Sequence, residues 1–304
     1  MSDSKISDAR EAVSQVVDRV QRVYSGWRRD TTVEKMRADW DALFQTAVAA
    51  KTETVDIGSC QAEWIVSPGA DNGPVLLYLH GGGFRLGSCQ SHRELMAGLS
   101  TESGVRVLGL DYRLLPEHPF PAQQEDAFDA WCWLLGQGFS PRNLAIAGDS
   151  AGAWIALRLL CALRDAGHAL PAAAVTMSAL TDLSASGPAY LTRADADPIH
   201  QRQMIAAIGR AVVGPSDDPQ DPRFSPLFAD LQGLPPLLMQ VGDREVVLSD
   251  TTEFAVKARA AGVEVEDQVW PEMIHVFQQF PELEEARQAR QTIGRFLRHH
   301  FNLD

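Results

Sequence analysis

The 304 residues hold 27 Lys and Arg against 40 Asp and Glu, a formal net charge of −13, with 45% hydrophobic and 22% charged residues. So acidic a chain repels phosphate backbones and anionic headgroups, which excludes nucleic acid as an expected partner, and no apolar run nears the roughly 20 residues that a bilayer demands. The four cysteines, Cys60, Cys89, Cys132 and Cys161, form no C-x-x-C pair, so neither a zinc site nor a redox motif is expected and the reading calls for no metal or cofactor.

The amino terminus "MSDSKISDAREAV" alternates charges where a secretory peptide needs an apolar core, so cytoplasmic residence is the expectation. From Ser7 to about Ala50, apolar residues recur at helical spacing, first Val13, Val16, Val17, Val20 and Val23, then Met36, Trp40, Leu43, Phe44 and Val48. Asp30 to Thr32 sit between the groups and supply a cap for the second helix. From Thr54 the pattern turns to alternation and β-branched residues, in "TVDIGSCQAEWIVSP", "PVLLYLHGGG" and "VRVLGLDYRLLPEHPFP". Short apolar runs then recur between helical stretches, at "RNLAIAGDSAG", "AAAVTMSAL", "PPLLMQVGD" and "VEVEDQVWPEM". Strands alternating with helices predict an α/β domain: a mainly parallel sheet with helices on both faces. The segment between Leu180 and Leu237 is too long for a simple crossover and carries "DPIHQRQMIAAIGRAVVG" and a proline-rich loop. The expected organisation is therefore cap helices over residues 1–50 and a catalytic domain over 51–304, with a further cap insertion at about 185–220.

"LAIAGDSAGAW" places Ser150 between Gly148 and Gly152 at a predicted strand-to-helix junction. G-x-S-x-G there forms a nucleophile elbow, a sharp turn that lifts the serine to the sheet edge, where the helix amino terminus favours developing negative charge. A serine hydroxyl needs a base, an acid to orient it and donors for an oxyanion. His80-Gly81-Gly82-Gly83 ends a strand in a bare loop, so the N–H groups of Gly82, Gly83 and Ala151 are the candidate oxyanion donors. Of the histidines after Ser150, His275 alone follows a strand-like run by a short loop; His200 falls in the insertion with no strand end near it. After the strand "LLMQVG", Asp243 and Glu245 can each reach such an imidazole, and Asp250 is expected to cap the next helix.

Four motifs thus stand in order: "HGGG" at 80, "DYRLLPEHPFPA" from 111, "GDSAG" at 148 and "MIHVF" at 273. In these the chain resembles the hormone-sensitive-lipase branch of the α/β-hydrolases, the bacterial family IV esterases, from about residue 55 to the end. Its lead-in "GWRRDTTVEKMRADWDALF" is also similar to a subgroup that includes esterases and lactone hydrolases. The resemblance implies an α/β-hydrolase fold with a helical cap. It also favours Glu245 as the acid, with Val247, Asp250 and His275 following at +2, +5 and +30, although the family's usual acid is aspartate. Relatives often pair as homodimers through the last strand and helix, here Val263 to Trp270 and Ala286 to Phe301.

The expected activity is hydrolysis of small apolar carboxylic esters by Ser150, His275 and Glu245, with Asp243 as the alternative acid. A lactone hydrolase would use the same residues. A non-catalytic ligand receptor on this fold is disfavoured, because such receptors lose the histidine that stands here at 275. Trp27, Trp40, Phe44, Phe84, Met204, Ile208 and Phe277 are candidates to line the substrate pocket, and Glu117 and Asp126 to brace "HGGG".

Overall fold

The computed structural model describes residues 3–70 and 73–303. The strands are β1 (Lys51–Ile57), β2 (Cys60–Val66), β3 (Val75–Leu79), β4 (Arg106–Asp111), β5 (Leu144–Asp149), β6 (Ala173–Met177), β7 (Leu237–Gly242) and β8 (Val265–Trp270). They form one sheet in the order β1-β2-β4-β3-β5-β6-β7-β8, antiparallel at the first two pairings and parallel from β4 to β8. The carboxyl ends of β3, β5, β7 and β8 therefore share one edge.

The helices are α1 (Asp3–Gly26), α2 (Val33–Leu43), α3 (Cys89–Ser103), α4 (Ala122–Gly136), α5 (Ala151–Asp165), α6 (Ala189–Thr192), α7 (Arg202–Val213), α8 (Leu248–Ala260) and α9 (Glu284–Phe301). The inner strands β3, β5, β6 and β7 are buried along their whole length and mostly apolar because both of their faces are covered. In β3, Val75, Leu77 and Leu79 join the core beneath α4, α5 and α8, whereas Leu76 and Tyr78 face α3 and α9. This is the period of two that a buried strand imposes. No helix is long and apolar enough to cross a membrane among the described residues.

α1 buries Val13, Val16, Val17 and Val20 against Met273, Ile274 and Phe277, so its apolar stripe docks on the chain that follows β8. α2 opens where Thr32 accepts the N–H of Lys35, the cap expected from Asp30 to Thr32. The long connection from β6 to β7 holds α6 and α7, and α7 turns its apolar face toward α1 and α2 over the shared strand edge.

Three acidic side chains differ from expectation, one a cap and two braces. Asp250 lies in the first turn of α8, and its Oδ2 accepts from the N–H groups of Thr181 and Asp182 instead of capping its own helix. Glu117 pairs with Arg37 of α2, and Asp126 with Arg113, so neither reaches the glycine loop.

Candidate active site

Ser150 sits between the end of β5 and the start of α5 with φ 50° and ψ −117°. Left-handed backbone is costly for a residue with a Cβ, and here the surroundings leave no alternative. A Cβ on Gly152 would run into Leu79 O, and one on Gly148 into the Gly152 backbone, so the turn closes only with glycine on both sides. The serine N–H donates to Met177 O at 2.9 Å, which ties the turn to β6.

His275 arrives on the loop after β8, and its Nε2 is 2.9 Å from Ser150 Oγ. Its Nδ1 is 2.7 Å from Glu245 Oε2, on the loop after β7. Glu245 is fully buried, and its other oxygen accepts from Ser178 Oγ at 2.8 Å and Gly242 N at 2.5 Å. Asp243 is turned away and accepts the N–H of Glu272 at 2.7 Å. The structure thus brings together Ser150, His275 and Glu245 and leaves Asp243 outside. Burial pulls the His275 imidazole down, but the charge and hydrogen bond of Glu245, with Asp197 and Asp149 behind, outweigh it and hold the group above its ordinary value. An imidazole placed so can take a proton from the serine and keep the resulting charge stable.

The glycine loop is held from below. Asp149 Oδ1 accepts from Gly81 N at 2.9 Å and from the Tyr78 hydroxyl at 2.7 Å, while the Tyr112 hydroxyl donates to His80 O at 2.6 Å. Burial pushes the Asp149 carboxyl up, yet His92 and Tyr78 outweigh it and keep it below the usual range. Burial also brings His80 down to about 4, so that ring is a neutral packing partner stacked on Tyr112. Gly82 and Gly83 then face the same space as Ser150, and Ala151 begins α5. Among the described residues, the N–H groups of Gly82, Gly83 and Ala151 donate to no protein acceptor.

These groups open into a cavity of about 280 Å³. Of the candidate pocket residues, Trp27, Trp40, Phe44, Met204 and Ile208 line it. Phe84 and Phe277 do not. Phe84, at φ 62°, is turned under the loop against Trp154 with ring centroids 5.2 Å apart, and Phe277 packs on Trp270 at 5.5 Å. Val20, Tyr24, Met36 and Phe280 also line the cavity, and so does His200, whose ring lies 4.4 Å from that of His275. His200 was not expected there, because only the folded insertion carries it to the strand edge.

A strand-borne serine elbow, a following acid loop and a final histidine loop on one parallel sheet edge define an α/β-hydrolase. Residues 76–279 match a family model described as the alpha/beta hydrolase fold, and the chain belongs to that family. An acetyl-hydrolase of Streptomyces hygroscopicus is 45% identical over 89% of this chain and 91% of its own. An ethyl acetate hydrolase of Pseudomonas putida is 33% identical over 75% of this chain and 74% of its own. The crystal structure of an esterase from the bacterial hormone-sensitive lipase family superimposes with a TM-score of 0.91 at 40% identity, covering 96% of this chain and 98% of that one. Within the family, the chain stands with these carboxylic ester hydrolases of hormone-sensitive-lipase type.

Proposed function

We propose that this protein is a serine carboxylesterase that hydrolyses short- to medium-chain esters through an acyl-enzyme. The observation that carries the reading is the continuous hydrogen-bond chain from Ser150 Oγ through both nitrogens of His275 to Glu245, opening into an apolar cavity.

Ser150 Oγ attacks the ester carbonyl carbon while its proton passes to His275 Nε2, and Glu245 steadies the imidazolium. Negative charge collects on the carbonyl oxygen, which the N–H groups of Gly82, Gly83 and Ala151 receive; one such donor lowers the barrier by roughly 3–4 kcal/mol. His275 then gives its proton to the leaving alcohol oxygen. A water that surrenders a proton to His275 attacks the acyl-enzyme, and as the intermediate collapses His275 gives that proton to Ser150 Oγ, which releases the acid and restores the serine hydroxyl.

Residues 1–50 and the insertion at about 185–220 act in this reading as the cap that shapes the pocket, since α1, α2 and α7 all contribute to its wall. A cavity of about 280 Å³ suits a small substrate. The names of the acetyl-hydrolase and ethyl acetate hydrolase relatives point the same way.

The test is kcat/KM for p-nitrophenyl esters from acetate to palmitate, with Ser150→Ala as the blank. A maximum at short or medium chains that vanishes in the blank is expected. Equal rates in the two proteins at every chain length would overturn the assignment.

A further inference from the structure

His200 is a polar ring in a cavity wall built largely from apolar groups such as Met36, Phe44 and Ile208, with Tyr24, Arg85 and Gln279 as further polar side chains. It is held there by Asp197, whose Oδ1 accepts the N–H groups of Ile199 and His200 at 2.9 Å each and whose Oδ2 accepts Val246 N at 2.9 Å. One carboxylate thus fastens the insertion to the loop that carries Glu245. His200 is 9% exposed, and its ring meets the His275 ring at 66°. Its Nδ1 is enclosed without a partner, and Nε2 makes no hydrogen bond among the described residues. Burial, then the neighbouring His275, brings the group down to about 3. The ring is therefore neutral, with one nitrogen to donate and one to accept. A polar group left dry and unpaired destabilises the fold, and a leucine or phenylalanine would fill the space without that penalty.

The proposed mechanism fixes which part of a substrate His200 meets. The carbonyl oxygen points to Gly82, Gly83 and Ala151, while the leaving oxygen must lie against His275, the ring that His200 abuts. Resting on the serine-esterase reading, we propose that His200 is a specificity-determining residue that hydrogen-bonds a polar substituent on the alcohol part. The favoured substrates are then esters of hydroxylated alcohols, such as monoesters of vicinal diols. Nε2 is the nitrogen left to make that bond.

The experiment compares kcat/KM for 2-hydroxyethyl butyrate and propyl butyrate by pH-stat titration, each divided by its hydroxide-catalysed rate. The two esters differ by a hydroxyl in place of a methyl. A site that hydrogen-bonds a substrate hydroxyl rejects the analogue without it, so wild type should prefer the hydroxyethyl ester by about tenfold or more. The preference should fall to one or below in His200→Phe and survive in part in His200→Asn, which keeps a donor and an acceptor. A wild-type ratio near one overturns the proposal without any variant, and so does an undiminished preference in His200→Phe. A preference that follows a hydroxyl on the acyl chain instead overturns it too. p-Nitrophenyl butyrate is the control: turnover with a ratio of one removes only the role of His200, whereas no turnover above Ser150→Ala removes the esterase reading along with it.

Discussion

Ser178 donates its hydroxyl to Glu245 Oε1 at 2.8 Å and accepts the N–H of Val276 at 2.9 Å, so one buried side chain spans the acid loop and the histidine loop. Ser178 is itself at φ 51°, just beyond β6, and its own N–H donates to Gln240 O of β7 at 2.7 Å. Removing the hydroxyl leaves Val276 N without its acceptor and frees one oxygen of Glu245. Ser178→Ala should lower kcat about tenfold, a loss of about 1.4 kcal/mol in barrier terms, and leave KM nearly unchanged. A rise in KM with kcat intact would show that Ser178 supports the pocket and not the histidine.

The His275 imidazole is held above its ordinary value although burial opposes the charge, because Glu245 supplies both a charge and a hydrogen bond. A general base works only when neutral, so kcat/KM should rise with pH and reach half its plateau above pH ~6.5. In Glu245→Gln the opposing burial remains and the partner charge is gone, so the limb should move to lower pH while the plateau falls by about 10³–10⁴-fold. Profiles of both proteins on p-nitrophenyl butyrate decide this. A limb in the same place in each would mean that the titrating group is not this imidazole.

Arg37 of α2 donates to Arg85 O and Leu115 O at 2.9 Å each and takes both oxygens of Glu117, at 3.0 and 2.7 Å. It therefore ties a helix of the pocket wall to the segment that follows the glycine loop. The ion pair is partly exposed and worth little by itself, but the two carbonyl bonds fix where Trp40 and Met36 stand. Arg37→Ala should raise KM severalfold with a smaller change in kcat, and should expose α2 to limited trypsin digestion at Lys35. An unchanged KM would show that α2 keeps its place by apolar packing alone.

The elements that carried recognisable chemistry in the sequence were those fixed by local sterics. Gly148 and Gly152 flank a turn that admits no Cβ, and His275 follows a strand by a short loop, so spacing along the chain reported position in space. The pocket was less legible because an amphipathic helix presents the same pattern whether its stripe meets a core or a cavity. Val16 and Val20 of α1 illustrate this, both buried on one stripe though only Val20 borders the cavity, and in the loops Phe84 misses it because its left-handed backbone turns the ring down onto Trp154. His200 was hidden for another reason. Its neighbour His275 is distant in sequence, and the Asp197 bond to Val246 that brings them together exists only after the insertion folds back.

Asp250 offers a test of stability that is independent of activity. Its carboxyl is buried, one oxygen accepts from Thr181 N at 2.7 Å and Asp182 N at 3.0 Å, and the Tyr190 hydroxyl lies beside the carboxyl. Burial pushes the group up to about 7, the two N–H bonds resist, and the nearby Asp182 charge adds to the rise. The folded state therefore favours the protonated acid. For a carboxyl raised in this way, the favourable contribution is fully present below the unfolded value of about 3.9. It is lost as pH climbs toward and past about 7, because the folded chain holds a proton that the unfolded chain has already released. Asparagine keeps an oxygen for the two N–H groups and never ionises. The difference in Tm between Asp250→Asn and wild type should therefore shift in favour of asparagine by a few degrees between pH 5 and pH 8, then level off. Melting curves across that range measure it directly, and a difference that stays constant with pH would mean that Asp250 is charged in the folded protein throughout.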